Sequence, residues 1–228
     1  MRILLTNDDG ITAPGMLALY QAARELGDVQ VVAPAGVCSA KSHSITLFEH
    51  IDVTQHASEH FTGYAVKGMP ADCVKLGCNG LLDGPVDLVI SGINAGANIG
   101  VNVLYSGTVA AAREAVIQGI PAIALSLHIG DRDRIRWDVA TDHAATVLKQ
   151  VIAHGLDPSH LLNINLPIFD DDDTVTGTRV CSLSDSAMAD RYAQSPGDNG
   201  ATRYCVDYGM QFRQHHEDSD VHLLFDRH

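Results

Sequence analysis

The sequence predicts a doubly wound α/β protein, with a mostly parallel sheet, helices on both faces and a β-rich C-terminal extension. Three observations carry that reading. Uninterrupted apolar runs such as Ile3-Leu4-Leu5 and Ala122-Ile123-Ala124-Leu125 suit strands buried on both faces of a parallel sheet. These runs alternate with stretches of helical periodicity, and strand–helix–strand alternation closes into right-handed parallel crossovers. Several runs stop at polar, glycine-bearing turns, which is where such sheets bind ligands.

The elements follow in order. The first strand ends at Thr6-Asn7-Asp8-Asp9-Gly10. Pro14 suits a helix start, and Met16, Leu19, Tyr20, Ala23 and Leu26 follow at helical spacing, with Gly27 placed to cap the end. Val29 to Ala33 reads as a strand stopped by Pro34, and 35–44 as a polar loop, with extended structure resuming over Ile45 to Phe48. A strand near Tyr64 to Lys67 leads to Pro70 and a helix reaching about Leu82. Asp87 to Ser91 is the next buried strand, followed by a glycine-rich loop over 92–100 and a helix over about Thr108 to Gln118. The strand Ala122 to Leu125, the helix Trp137 to His154 and the strand Leu161 to Leu166 complete a core domain over 1–167. In 168–228 the acidic run Asp170 to Asp173 reads as solvated loop, 184–203 is rich in small and polar residues, and Asp226-Arg227-His228 falls in a strand-turn region. This tail is the candidate dimerisation element.

Composition narrows the function. The chain has 228 residues, 46% hydrophobic and 19% charged, with a net charge of −13, enough for one large domain or a domain with an appendage. Polymeric nucleic acid is excluded as a partner, because polyanion binders present basic surfaces. A small phosphorylated ligand held through a cation is not. No apolar run is long enough to span a membrane, and acidic residues arrive too early for a signal peptide. Five scattered cysteines without a CxxC pattern suit reduced thiols, so the expected compartment is the cytoplasm.

Four strand-end segments share one predicted crest of the sheet: Asp8-Asp9, Ser39 with Ser42, Asn94 with Asn98, and Ser106-Gly107-Thr108. All their donors are oxygens or backbone amides, a set that favours Mg²⁺ or Mn²⁺ over metals that prefer thiolate or imidazole. Adjacent carboxylates repel unless a proton or cation lies between them. Asn-Asp-Asp-Gly is open to two readings, a metal site or a turn whose carboxylates cap a helix. Ser106-Gly107-Thr108 taken alone reads first as a plain N-cap, with a phosphate cradle at a helix N-terminus as the other reading. His43 and His128 stand near loop ends as further candidates for substrate contact. Neither a GxxxxGK[ST] phosphate loop nor a GxSxG nucleophile elbow occurs.

At these residues the sequence resembles the SurE family of metal-dependent nucleotidases. The resemblance runs through Arg2 to Gly10, Ala13-Pro14-Gly15, Val31-Val32-Ala33-Pro34, Ser39, Ser42 and Ser44-Ile45-Thr46-Leu47. It continues through Ser91 to Gly96, Asn98 and Gly100, then Tyr105 to Ala112 and Asn163 to Pro167. It implies a Rossmann-like core, a β-rich dimerisation extension, and a homodimer or homotetramer. It also implies hydrolysis of nucleoside 5′- and 3′-monophosphates with one divalent cation, Mg²⁺ or Mn²⁺, per subunit. The residues matching the metal ligands are Asp8, Asp9, Ser39 and Asn94, with Asp8 and Asp9 also catalytic. Asn98, Ser106, Gly107 and Thr108 match positions near the phosphate, and Ser42 and His43 are assigned to the same substrate site. The chain departs from the family pattern at Ala35-Gly36-Val37-Cys38, at Ala40-Lys41 and His43, and at Val101-Asn102. The resemblance further implies a final strand after a segment like Val221 to His228. Two other activities stay open: a phosphate or nucleotide binder without catalysis, and a broader acid phosphatase or short-polyphosphate hydrolase.

Overall fold

The computed structural model describes residues 1–130, 134–168, 177–186, 191–207 and 216–225. Asp170 to Asp173 and Asp226 to His228, read above as loop and strand-turn, lie outside the described residues. The chain divides into two compact units, one of Met1–Asn98 with Val103–Arg179 and one of Ile99–Asn102 with Val180–His228.

The first unit is a seven-stranded sheet of order β3-β4-β2-β1-β5-β6-β7. Its strands are β1 (Arg2–Thr6), β2 (Asp28–Pro34), β3 (Val53–Ala57), β4 (Thr62–Val66), β5 (Leu88–Ala95), β6 (Ala122–Leu127) and β7 (Leu161–Leu166). All neighbours pair in parallel except the edge hairpin of β3 on β4. From β1 the chain winds to β2 on one side, then crosses to β5, β6 and β7 on the other. That reversal opens a crevice at the carboxyl ends of β1 and β5, the usual ligand position of such sheets.

Alternating side chains build two cores. Ile3, Leu5, Val31, Ile90, Ile123 and Leu125 point to one face, under α1 (Pro14–Ala23) and α4 (Trp137–His154). Leu4, Val32, Val89 and Ala124 point to the other, under α2 (Pro70–Leu76) and α3 (Gly107–Ile117). Leu4, Ile90 and Leu125 are fully buried, and each side chain of that kind contributes about 1.5–3 kcal/mol of transfer free energy.

Some expected boundaries shift. Helix α1 ends at Ala23, and Gly27 caps nothing; a Cβ there would collide with the Met1 carbonyl. No strand forms over Ile45 to Phe48; the edge strand comes later, at β3. Helix α2 is shorter than expected and passes into a π turn over Gly77–Leu81. Strand β5 continues through the start of the expected glycine-rich loop, with a register shift against β6 between Ser91 and Asn94.

In the second unit, β8 (Arg191–Pro196) and β9 (Thr202–Asp207) form an antiparallel hairpin, which gives the extension its β character. The short helix α5 (Asp220–Phe225) holds the rest of the unit together. Its Asp220 accepts the Gly100 amide at 2.9 Å and the Ser184 amide at 2.8 Å. Among the described residues no helix is long and apolar enough to cross a membrane.

Candidate active site

The turn after β1 is closed by Asn7 and by neither aspartate. Asn7, buried, closes the turn in both directions, donating to the Gly10 carbonyl at 2.9 Å and accepting the Gly10 amide at 3.1 Å. Gly10 takes φ +101°, which favours glycine. Helix α1 has no acidic residue in its first turn and no side-chain cap. The turn therefore consumes neither Asp8 nor Asp9, and both carboxylates face the crevice end of the sheet.

Asp8 is only 4% exposed, and Thr108 donates its hydroxyl to Asp8 Oδ1 at 2.6 Å. The close approach of α3 depends on a missing side chain: a Cβ on Gly107 would lie 2.7 Å from Asp8 Cβ and 2.9 Å from Oδ2. The positive end of the α3 dipole is thereby held against the carboxylate. Burial raises the Asp8 carboxyl above its ordinary pKa and the Asp9 charge adds to the rise, while hydrogen bonds from Thr108 oppose it. Asp9, half-buried, meets the Ala95 amide at 3.4 Å and so reaches the end of β5. Among the described residues neither aspartate forms an ion pair.

Asn94 commits its Nδ2 to the Gly96 carbonyl at 2.6 Å, which leaves Oδ1 as its acceptor. Ser39 is exposed in the loop after β2, next to Cys38, whose amide donates to the Asp8 carbonyl at 2.7 Å. Asn98 is buried and cross-braced from β6 and β7. Its Nδ2 donates to Ser126 Oγ at 2.9 Å, and its amide donates to Asn165 Oδ1 at 2.9 Å. Its carbonyl accepts from Asn163 Nδ2 at 2.7 Å and Asn165 Nδ2 at 3.1 Å. Ser106 is the α3 N-cap, its hydroxyl accepting the Val109 amide at 3.1 Å.

Two expected substrate residues are engaged elsewhere. Ser42 donates its hydroxyl to the Leu104 carbonyl at 2.7 Å, and the His43 ring pairs with Glu114 of α3 at 2.9 Å. Thr108, expected near phosphate, spends its hydroxyl on Asp8. Sequence reasoning passed over Asn7, Asp72, Glu114, Asn163 and Asn165. The last two carried a signal, since their period-two spacing on β7 puts both amides on one face.

The donor chemistry fits a hard divalent cation. The donors expected from the sequence are two adjacent carboxylates, one of them buried, a neutral amide oxygen and a loop hydroxyl, all of them oxygens. Among the described residues no cluster of three or more His, Cys, Asp or Glu occurs.

A doubly wound sheet with paired carboxylates at its switch point, beside a helix N-terminus, defines the class: α/β proteins whose ligand position lies at the carboxyl ends of the strands. The sequence profile described as "Survival protein SurE" matches residues 3–190. A protein named 5′-nucleotidase SurE from Syntrophobacter fumaroxidans is 42% identical over 205 residues, covering 90% of this chain and 81% of its own. One of the same name from Heliobacterium modesticaldum is 42% identical over 209 residues, covering 90% and 75%. The crystal structure of the SurE protein from Aquifex aeolicus superposes with a TM-score of 0.80 at 32% identity, covering 99% of this chain and 90% of that one. The chain belongs to the SurE family.

Proposed function

We propose that the protein is a divalent-metal-dependent 5′-nucleotidase that hydrolyses nucleoside monophosphates to nucleoside and inorganic phosphate. The observation that carries the reading is the Asp8-Asp9 pair, freed from turn duty by Asn7 and set against the N-terminus of α3. The names of its SurE relatives support the same activity.

Asp8, Asp9, Ser39 and Asn94 would hold one Mg²⁺ or Mn²⁺ per subunit. Such a cation, when bound, neutralises phosphate charge and acidifies a coordinated water. The protein's own groups do the rest. Thr108 fixes Asp8 through Oδ1, leaving Oδ2 on the side that Gly107 keeps open. The first-turn amides of α3 at Ser106 and Gly107 lack partners inside the helix and attract the phosphate dianion along the dipole. Asn98, immobilised by Asn163 and Asn165, sets the far wall of the phosphate site. Asp9, the more accessible carboxylate, accepts the proton of the attacking water as the phosphoryl group transfers in line.

The reading extends to assembly and location. The exposed hairpin of the second unit suits a dimerisation element of a homodimer or homotetramer. Cys38, Cys73, Cys78 and Cys205 form no disulfide, which suits the cytoplasm.

The test is phosphate release from AMP and GMP with Mn²⁺ or Mg²⁺, alongside EDTA-treated enzyme. Metal-dependent release that EDTA abolishes is the expected result. Tight AMP binding without hydrolysis in either metal would overturn catalysis, and faster hydrolysis of short polyphosphate than of AMP would overturn the substrate class.

A further inference from the structure

The segment from Ala35 to Thr46 carries Ser39 past the site without regular structure, and nearly all of it is exposed. It leaves β2 with the Ala35 amide on the Val66 carbonyl at 2.7 Å and touches the site once, through the Cys38 amide on Asp8. Beyond Ser39 its backbone is held in a disfavoured state. Ala40 and Ser42 take φ +55° and +54°, left-handed values that residues with a Cβ seldom adopt unless their surroundings impose them.

Two fastenings follow. Ser42 bonds the Tyr105 carbonyl through its amide at 3.0 Å and the Leu104 carbonyl through its hydroxyl at 2.7 Å, both open to competition from water. At the far end Asp72 accepts the Thr46 amide at 3.0 Å and hydroxyl at 2.8 Å.

Between these the loop reaches the Glu114 carboxylate of α3. His43 Nε2 meets Glu114 Oε2 at 2.9 Å, with the two side chains 20% and 6% exposed. The other Glu114 oxygen, Oε1, already receives Lys75 Nζ at 3.3 Å and Gln118 Nε2 at 3.1 Å. Lys75 thus compensates the buried carboxylate and joins α2 to α3 without help from the loop. The His43 contact adds little to the core; what it fastens is the strap that carries Ser39.

We propose that His43 is a positioning residue: through Glu114 it holds the 35–46 strap against α3, and thereby keeps Ser39 at the mouth of the Asp8–Asp9 site. The inference rests on the metal reading above, and it turns His43 away from the direct substrate contact expected from the sequence. Glu114 is the fixed post of the device and His43 the movable end. Because Lys75 and Gln118 stay on Glu114 when the imidazole is removed, the fold survives the substitution.

The experiment uses the full chain with His43→Ala, His43→Gln and Lys75→Met. Mn²⁺ binding is measured by calorimetry, amide hydrogen exchange at Cys38 and Ser42 in metal-free protein, and kcat at saturating Mn²⁺. In His43→Ala the Mn²⁺ Kd should rise about tenfold, in the range seen when residues orienting metal ligands are removed. Exchange at the two amides should speed up at least about tenfold as the strap opens locally. The kcat at saturating Mn²⁺ should stay within about twofold, since His43 orients a ligand and touches no reacting atom. His43→Gln, which keeps a donor, should restore most of the affinity, and Lys75→Met should lower thermal stability without moving the Kd. A folded His43→Ala protein with wild-type Kd and wild-type exchange overturns the proposal. If the wild type itself binds no Mn²⁺ the metal reading fails instead, and the exchange rates alone then decide the tether.

Discussion

Asp8 is under two opposed demands. Its burial disfavours charge, while cation binding requires that charge. The sign of the effect on stability follows from linkage. A carboxyl whose folded-state pKa lies above the unfolded value contributes stability that is fully present below the unfolded pKa of about 3.9 and is lost as pH rises through the folded value. At neutral pH the metal-free protein therefore carries an ionised, buried carboxylate at a cost. Asp8→Asn keeps an acceptor for the Thr108 hydroxyl and removes the charge. Metal-free Asp8→Asn protein should melt at or above the wild-type temperature at pH 7, whereas its AMP hydrolysis should fall by about three orders of magnitude. Adding Mn²⁺ should raise the melting temperature of the wild type and leave the variant nearly unmoved. A variant that melts lower, or that still turns over AMP, would sink the assignment of Asp8.

At the scale of elements, what the sequence revealed depended on how local the cause was. Helix α4 and strand β7 start and stop where periodicity predicts, because their amphipathic pattern alone sets their limits. Ile45 to Phe48 looked extended, yet the edge position on β4 belongs to β3, and pairing across the sheet outweighs the propensity of a short run. The strand-end places of Asp8, Asp9 and Asn94 were legible because each comes shortly after an apolar run gives way to polar residues. The orientations of Ser42 and His43 were not, since they are set by partners 62 and 71 residues away. Cys73 and Cys78 show how an element changes a side chain's chemistry. Carried by α2 and its π turn, both thiols are raised by burial, Cys78 to about 11. Relative to an ordinary value of 9.0, that leaves about a hundredfold less Cys78 thiolate at pH 8. Mass mapping with iodoacetamide at pH 8 should therefore find Cys205 alkylated well before Cys78, with Cys73 protected until the chain unfolds. The neutral thiol's contribution to stability is present below pH 9 and fades as pH rises through about 11, because only the unfolded chain ionises Cys78 freely in that window. Early alkylation of Cys73 would mean that α2 opens on its own.

For the molecule as a whole, the two units have unequal means of support. The first buries two apolar layers around a seven-stranded sheet and has a complete core. Among the described residues the second rests on a two-stranded hairpin whose β8 residues are all exposed, on a six-residue helix and on a few hydrogen bonds to Asp220. A lone hairpin is marginal in water, and three or more strands or a packed face are needed for it to persist. The hairpin also displays Tyr192 at 62% and Tyr204 at 61% exposure, aromatic side chains of the kind that anchor interfaces. Under the dimer reading proposed above, a second copy of the chain would cover the hairpin and pack against these exposed tyrosines. Replacing both tyrosines with serine leaves the first unit's core untouched, so the variant should keep its sheet signature by circular dichroism. In sedimentation equilibrium the wild type should run as a dimer or tetramer, and the double variant should shift toward monomer with its self-association weakened at least about thirtyfold, the equivalent of losing about 2 kcal/mol of anchor contact. A wild-type monomer at tens of micromolar, or a double variant that associates as tightly as the wild type, would remove the hairpin from the interface and leave its persistence to contacts within its own chain.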